Sequence, residues 1–558
     1  MKTRKLLMFL PLSLVSVFAL SGCDKEEETR VLRILNFEDY IYEYEEGDEE
    51  NSSGGNDYKM DMVDQFVAYW AENHGGEEVE VVYDTFDTNE TMFNELQTGK
   101  TTYDVIVPSD YMIQKLLSND MLEKFDDESL SDLWENISPY LKGKFEDIKA
   151  GEQSIYNYSV PYMWGTMGVM YNPEFYEDLD EETVHELFKD WDSLYNEELK
   201  GSFSIKDSVR DTYAVSLIHN YRETIKDITN EEDLASIFNR SDVDTMAEVK
   251  EDMLKLKENA FGFECDSGKT DMTTQKIGAN MCWSGDAAWA ITEAEEFGLT
   301  LYYSIPTSYN GEAKKSASNI WFDGFCMPKG ADKEIAQEFI KFMSQPINAA
   351  QNCYCVGYTP GVAGEEMLDY ILGEYEASEA LASYQADLEA LPAKYDELRD
   401  EISEKYEGKP KKLQKALEDL EKEFALEQAE LEQSIADEQA WINENIGIED
   451  DFYDLTYFFG DVEGAKFLPR LGSVDRQLTA QYPQGGPNGI LDRLAIMNDF
   501  GPDGNARLLD MWEQVRTNAL PTWAVIVLVT EVVGGVAFAV YLITHKVNRK
   551  RFKKVRHS

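Results

Sequence analysis

The stretch VLRILNFEDY, residues 31–40, indicates how this 558-residue chain folds. It begins as an apolar, strand-like run and ends in two aromatic rings that flank two carboxylates. Helix-like stretches over residues 60–72 and 90–98 then alternate with strand-like stretches over 78–86 and 103–108. Such alternation is typical of α/β units with a largely parallel sheet. The sequence therefore predicts an α/β fold whose first strand ends in a charged aromatic cluster.

Phe37, Glu38, Asp39 and Tyr40 form this cluster, and together they suit an organic cation. Aromatic faces attract ammonium groups and pack against methylenes, while carboxylates make charge-assisted hydrogen bonds to N–H donors. A bare metal ion would make no use of the rings. The same residues also fit an ordinary strand end with core rings and solvated acids, and so short a segment does not separate the two interpretations.

Both ends of the chain predict attachment to a membrane. Residues 1–22 contain basic residues, an apolar stretch and small residues before Cys23, and they resemble a bacterial lipoprotein signal peptide with acylation at Cys23. An uncleaved helix is the alternative. Residues 522–544 are long enough to span a bilayer and contain one charged residue, Glu531. The basic tail, residues 545–558, has seven Lys and Arg, which predicts a cytoplasmic tail and an extracytoplasmic body.

The body is strongly acidic. The formal net charge of the chain is −57, and between Asp24 and Pro521 there are 41 Lys and Arg against 107 Asp and Glu, a net of −66. Such a field repels nucleic acid and anionic substrates and concentrates cations near an acid-lined cleft. Acidity as a general surface property explains most of this charge, so it agrees with a cationic ligand without identifying one.

Motifs for catalysis, cofactors and metals are missing from the sequence. It contains no P-loop, no His-Glu-x-x-His pair and no Gly-x-Ser-x-Gly elbow. The five body cysteines lack zinc spacing and are odd in number, which leaves any disulfide unassigned. We therefore expect a protein that is not an enzyme and has no cofactor and no resident metal.

Three further stretches, NETM at 89–92, YDVIVPS at 103–109 and SVPYMWG at 159–165, make the chain resemble the spermidine/putrescine-binding proteins of bacterial ABC importers. The resemblance runs in order from Arg33 to about Gly361 and again from about Asp454 to Asp510. It implies a two-lobed, periplasmic-binding-protein-like (type II) α/β fold that closes on its ligand. It also implies a permease partner in the membrane and ATP hydrolysis on other chains.

Two crossings between the lobes are implied, near residues 165–169 and 321–324. Lobe 1 would comprise residues 31–166 and 325–362, and lobe 2 residues 168–320 and 449–517. The family pattern does not cover residues 365–445, which are rich in Glu, Lys, Leu, Ala and Gln. Apolar residues at heptad spacing and a Gly-Lys-Pro turn at 408–410 predict an inserted α-helical hairpin there. It is either an arm that contacts a partner or a solvated spacer whose apolar stripe is covered by its own second helix.

The resemblance implies that the ligand contacts are Phe37, Glu38, Asp39, Tyr40, Ser109, Tyr111, Asp211, Trp283, Trp321, Asp323 and Tyr358. The aromatic members would form the walls of a slot for an aliphatic chain, and the acids would meet its ammonium groups. Two positions depart from the family pattern, because Ser208 replaces an acid and Met497 replaces a glutamine. These losses leave the preference between putrescine and spermidine open.

Other ligands and roles follow from the same residues. An amino-acid receptor needs a cation for the substrate carboxylate, and Arg210 is the only candidate within the motifs, although we expect it to order its loop through Asp207 or Asp211. A ferric-ion receptor would use paired tyrosines such as Tyr302 and Tyr303, but adjacent side chains on a strand face opposite ways. A single-span sensor of amines is the alternative from another class. Membrane lipid would be contacted through acyl-Cys23 and the C-terminal helix, and nucleic acid is not an expected partner.

Overall fold

The computed structural model describes residues 29–44, 60–126, 131–265, 267–448, 451–485 and 489–517. The predicted signal peptide, Cys23, the transmembrane segment over 522–544 and the basic tail lie outside these residues. Within the described ranges, no helix has both the length and the apolar character needed to cross a bilayer.

The fold is mixed α/β. Its strands are β1 (Arg30–Phe37), β2 (Val79–Phe86), β3 (Val105–Ile106), β4 (Lys149–Ala150), β5 (Gln153–Ser154), β6 (Ser159–Tyr171), β7 (Phe203–Lys206), β8 (Gly262–Glu264), β9 (Ala279–Trp283), β10 (Tyr302–Ser304), β11 (Ser318–Cys326), β12 (Thr359–Pro360), β13 (Tyr453–Asp454), β14 (Lys466–Phe467) and β15 (Leu494–Ala495).

The α-helices are α1 (Met62–Asn73), α2 (Asn89–Thr98), α3 (Asp110–Ser118), α4 (Ser131–Asn136), α5 (Pro139–Asp147), α6 (Glu181–Leu187), α7 (Val209–Asn220), α8 (Arg222–Ile225), α9 (Glu231–Phe238), α10 (Val243–Asn259), α11 (Ser267–Thr273), α12 (Ser284–Glu296), α13 (Lys333–Met343), α14 (Pro346–Val356), α15 (Glu365–Tyr375), α16 (Ala377–Lys405), α17 (Pro410–Asn445), α18 (Thr456–Phe459), α19 (Thr479–Gln481) and α20 (Gly501–Arg516).

One sheet runs through the molecule in the strand order β2-β1-β3-β11-β6-β9-β7-β8. β1 is parallel to β2 and β3, as the alternating sequence pattern predicts. β7 is parallel to β8 and β9. β6 and β11 are antiparallel to each other and form the centre. The first part of β6 pairs with β11, and its second part, from Met167, pairs with β9. Both predicted crossing points lie within these two central strands.

Two hydrophobic cores flank the central strands. The first contains Leu35 and Phe322, and the second contains Val169 and Phe203. β6 is buried along its whole length because each of its halves belongs to one of the cores. An apolar run without alternation is what a strand covered on both faces requires.

This division differs from the predicted lobe boundaries, and two segments illustrate the difference. α12, through Ala287 and Ile291, and the segment from Tyr453 to Tyr482 pack in the first core, although both were expected in lobe 2. Only the later part of the C-terminal segment, including Met511 and Val515, packs in the second core. The antiparallel pair α16 and α17 explains the second difference, because it returns the chain to the core from which it departed.

We call α16 and α17 the helical arm. Leu391, Tyr395 and Leu420 form a small core between the two helices, and Phe424 packs against it. The base of the arm is fixed to the body, since Trp441 Nε1 donates a hydrogen bond to the Pro469 carbonyl at 2.9 Å. The apolar stripe seen in the sequence is therefore covered, at least in part, by the partner helix.

Candidate functional site

A cavity of about 320 Å³ opens where the strand ends meet. All eleven residues that the sequence predicts as ligand contacts line it, together with Ser208 and Met497. Its acidic lining residues are Glu38, Asp39, Asp87, Glu90, Asp110, Asp207, Asp211, Asp286 and Asp323, and its basic ones are Arg210, Lys269 and Arg516. The excess of carboxylates favours cations over anions in this cavity.

Asp323 is a buried acid with an oxygen that is available to accept a ligand hydrogen. It is 5 % exposed and lies on β11 at a register shift between Asp323 and Gly324. The Tyr40 hydroxyl donates to its Oδ2 at 2.8 Å, while Oδ1 accepts no hydrogen bond from the described residues. Burial raises the pKa of Asp323 to about 7, against the opposing effect of the Ser109 and Tyr40 hydroxyls. A buried acceptor without a partner is costly until a donor arrives.

Asp211, by contrast, is already occupied by protein donors. Its Oδ2 accepts hydrogen bonds from the Ser208 hydroxyl at 2.7 Å and from Trp283 Nε1 at 3.0 Å. Its Oδ1 accepts one from Asn319 Nδ2 at 3.0 Å. Burial nevertheless raises the pKa of Asp211. Asp211 therefore fixes the Trp283 ring and adds negative potential.

Aromatic rings form the opposite walls. Tyr40 meets the Tyr358 ring edge-on at 5.0 Å, and Trp321 lies 5.8 Å from Tyr358. These rings need small neighbours, because a Cβ added at Gly285 would come within 2.2 Å of the Tyr358 ring. The glycine of the Trp-Ser-Gly motif thus makes room for a ring contributed by a distant part of the chain.

A buried cation supports the same walls from behind. Lys206 Nζ lies 2.7 Å from Asp286 and 3.2 Å from Glu264, and 4.4 Å from the centre of the Trp283 ring. Asp286 also accepts a hydrogen bond from the Tyr358 hydroxyl at 2.8 Å. One face of Trp283 is consequently used by the protein's own ammonium group, which also links the two rings through Asp286.

Polar contacts also join α3 to the C-terminal segment across the cavity. Gln114 Nε2 donates to Asn498 Oδ1 at 2.9 Å, and the Asp499 backbone N–H donates to Gln114 Oε1 at 3.1 Å. Nearby, the Arg210 guanidinium lies between the rings of Tyr111 and Phe500, at 4.5 and 4.2 Å from their centres. These contacts join the two sides of the cavity.

With this geometry established, comparison with known proteins identifies the family. A family model described as bacterial extracellular solute-binding protein matches residues 62–383, more than half of the chain. The chain belongs to the bacterial extracellular solute-binding proteins. The spermidine/putrescine-binding periplasmic protein of Salmonella typhimurium is 27% identical to this solute-binding protein over 293 residues, which cover 52% of this chain and 73% of that protein.

Other relatives carry similar names. A putrescine-binding periplasmic protein of Pseudomonas aeruginosa is 26% identical over 349 residues, covering 60% of this chain and 79% of its own length. Among solved structures, a putative spermidine/putrescine ABC transporter from Listeria monocytogenes aligns with a TM-score of 0.46 at 27% identity, covering 62% of this chain and 87% of that one.

Sequence reasoning missed several lining residues of this solute-binding protein. Asp110 follows Ser109 directly and is 3% exposed, with burial raising its pKa to about 8. Asp286 and Asn319 likewise stand one to three residues from predicted contacts. Asp110 and Asp286 could have been predicted from the sequence, because each is an acid close to a motif at the end of a strand. Lys206, which precedes the Asp-Ser-Val-Arg-Asp run, gave no such signal because its partners are distant in sequence.

Two expectations about individual residues can be compared with the structure. Arg210 was expected to contact Asp207 or Asp211, but it donates its hydrogen bond to the Asn498 carbonyl, and Asp207 pairs with Arg516 at 2.8 Å. Asn498 is far away in sequence, so local reasoning could not identify it. For Tyr302 and Tyr303, one ring of the pair was expected to lie in the core. Tyr303 is that residue, since it is 2% exposed, and neither tyrosine lines the cavity.

The three cysteines that are most buried, Cys282, Cys326 and Cys353, are thiols without a disulfide. Burial raises the pKa of each well above its usual value, so none is a reactive thiolate at neutral pH. They act as small core residues.

Proposed function

We propose that this chain is the solute-binding subunit of an ABC importer and that its ligand is a polyamine of the putrescine or spermidine type. The observation that carries the proposal is the buried, unpaired Oδ1 of Asp323 inside an acidic cavity walled by Tyr40, Trp321 and Tyr358. An ammonium group would complete the hydrogen bonding of Asp323, and the rings would pack against methylenes. The names of the relatives support the same ligand class.

Each residue has a role in this proposal. Asp323 would accept the inner ammonium group, and Glu38 and Asp39, which are exposed, would attract the outer one. Tyr40 would position the Asp323 carboxylate through its hydroxyl. Asp211 would hold Trp283, and Ser208, which donates to Asp211, would leave no carboxylate for an additional amine.

The proposal is tested by calorimetric titration of the protein with putrescine, spermidine, arginine and ferric citrate at near-physiological salt. Saturable binding of one polyamine, with no heat from arginine or ferric citrate, is the expected result. Saturable binding of ferric citrate or arginine without polyamine binding would contradict it.

Asp323→Asn provides the residue-level test. Because a charge-assisted hydrogen bond contributes about 1.5–3 kcal/mol, the variant should bind polyamine roughly ten- to a hundred-fold more weakly. Asp369→Asn is the matched control, since Asp369 is exposed and lies outside the cavity lining. Equal affinities of the two variants would remove Asp323 from the site.

We further propose that acyl-Cys23 and residues 522–544 tether the body to the membrane beside the permease. Confinement near the transporter would raise the effective concentration of the receptor. The test is membrane fractionation of Cys23→Ala, of a chain ending at Pro521, and of both changes together. We expect release from the membrane only in the combined variant; release of either single variant would contradict attachment at both ends.

A further inference from the structure

The end of the helical arm has a charge opposite to that of the rest of the body. We call residues 405–415 the arm tip. It contains five lysines, Lys405, Lys409, Lys411, Lys412 and Lys415, and one acid, Glu407. All five lysines are exposed. The ion pairs described within the arm use Lys394, Arg399 and Lys422, none of which belongs to the tip.

Helix stability does not explain the lysines at the start of α17. Residues 410–415, the start of α17, contain three lysines and no acid, whereas residues 416–445 contain ten acids and one lysine. A helix carries partial positive charge at its N-terminus, so this distribution opposes the helix dipole. An ordinary solvated helix would have the reverse pattern. The segregation of charge therefore points to a requirement outside the helix.

The arm also separates the tip from the acidic body. α17 has 36 residues and is anchored near its C-terminal end, where Glu438 accepts the Leu471 backbone N–H and Trp441 binds Pro469. At about 1.5 Å per residue it is about 54 Å long. Electrostatic interactions between exposed charges decay over about 8 Å at physiological salt. The tip can therefore approach a negative surface that repels the body.

The chemistry of the tip selects the kind of partner. Among the described residues of the arm, Leu426 is the only large apolar side chain with high exposure, and it lies outside the tip. Protein interfaces depend on apolar or aromatic anchors that a partner can bury. The two such residues of the tip, Tyr406 and Leu413, are already half-buried. Lysine ammonium groups are hydrated point charges that suit a dense layer of phosphates. We propose that the arm tip docks onto an anionic phospholipid surface.

The test measures energy transfer between a dye on the arm tip and labelled lipid. Gln414 is exposed between Lys412 and Lys415, so Gln414→Cys in the full chain carries the dye, and the chain without this change gives the background. The chain is reconstituted in phosphatidylcholine vesicles with or without phosphatidylglycerol. We expect high transfer only with phosphatidylglycerol, and its loss at 1 M salt, where the Debye length is about 3 Å.

Replacing Lys409, Lys411, Lys412 and Lys415 together by Gln should lower the docking equilibrium constant by roughly two to three orders of magnitude. The matched control replaces four exposed body lysines, Lys100, Lys149, Lys200 and Lys329, and changes the net charge equally. Transfer that does not depend on phosphatidylglycerol, or that the tip and control variants reduce equally, would overturn the proposal. Energy transfer from the tip of one copy to the body of another, in vesicles of phosphatidylcholine alone, would also overturn it. That result would mean that the tip binds a second copy of the chain and not lipid. Polyamine affinity should be the same in both variants, which separates this proposal from the one on the cavity.

Discussion

Polyamine affinity should fall steeply as pH drops below 7, because the acceptor must be ionised to bind an ammonium group. Burial raises the pKa of Asp323 to about 7 in the empty protein. If binding requires the carboxylate, the apparent affinity follows its ionised fraction. That fraction is about one half at pH 7 and about 3% at pH 5.5, so affinity should fall roughly 30-fold between pH 8 and pH 5.5.

The assay is titration calorimetry in buffers of different ionisation enthalpy. At pH 7, binding should release about half a proton, since the ligand's charge favours the ionised carboxyl. Asp323→Asn should lose both the proton release and the pH dependence. Asp110→Asn should keep them, although burial also raises the pKa of Asp110, to about 8. An affinity that is flat from pH 5.5 to 8, or a slope that persists in Asp323→Asn, would refute this reasoning.

The same shift makes a prediction about folding. Because the pKa of Asp323 is raised from 3.8 to about 7, the folded chain binds more protons than the unfolded chain between those values. Its stability therefore decreases as pH rises through that window, by about 4 kcal/mol in total. Asp323→Asn should unfold at higher denaturant concentration than the parent at pH 8, even after losing part of the Tyr40 hydrogen bond. Lower stability of this variant at pH 8 would mean that the carboxylate is better solvated than its burial indicates.

Two further substitutions test the walls and the closure of the cavity. Gly285→Ala should destabilise the protein by about 1–3 kcal/mol and weaken ligand binding, because the new Cβ would displace the Tyr358 ring. Thermal unfolding measures the first effect and calorimetric titration the second. An unchanged melting temperature would contradict the close contact. Gln114→Ala should leave the fold intact but accelerate ligand dissociation about 3- to 30-fold, since it removes the hydrogen bonds to Asn498 and Asp499. Stopped-flow kinetics measure the dissociation rate. An unchanged rate would show that these bonds do not hold the closed form.

The sequence placed all eleven predicted contacts in the cavity because these residues lie in short motifs. Tyr40 and Ser109 follow the parallel strands β1 and β3, whose ends meet at one edge of the sheet. Asp323 reaches them from the antiparallel strand β11, although the three residues are distant in the chain. Their chemistry, acids among rings, could be read from the motifs alone. This part of the reasoning required only local patterns and the order of the motifs.

What the sequence did not predict depends on pairings that are distant in the chain. The Arg210 contact to Asn498 and the Lys206 ion pairs join segments whose proximity no local pattern records. The same holds for the segment from Tyr453 to Tyr482, which follows the arm back to the first core. Apolar periodicity in the sequence predicts that a residue is buried, but it does not indicate which of the two cores the residue packs in.

The register shift in β11 coincides with Asp323, the acceptor that we propose for the ligand. A regular ladder resists bending, whereas a strand with an irregular pairing twists and bends locally at low cost. In this protein that irregularity falls between Asp323 and Gly324, in the strand that pairs with β6 at the centre of the sheet. A ligand bound at Asp323, as we propose, would therefore act on the strand at the point where its pairing is irregular. Ligand binding at Asp323 would then change the angle between the two halves of the sheet directly. Coupling through a chain of intermediate residues would not be needed.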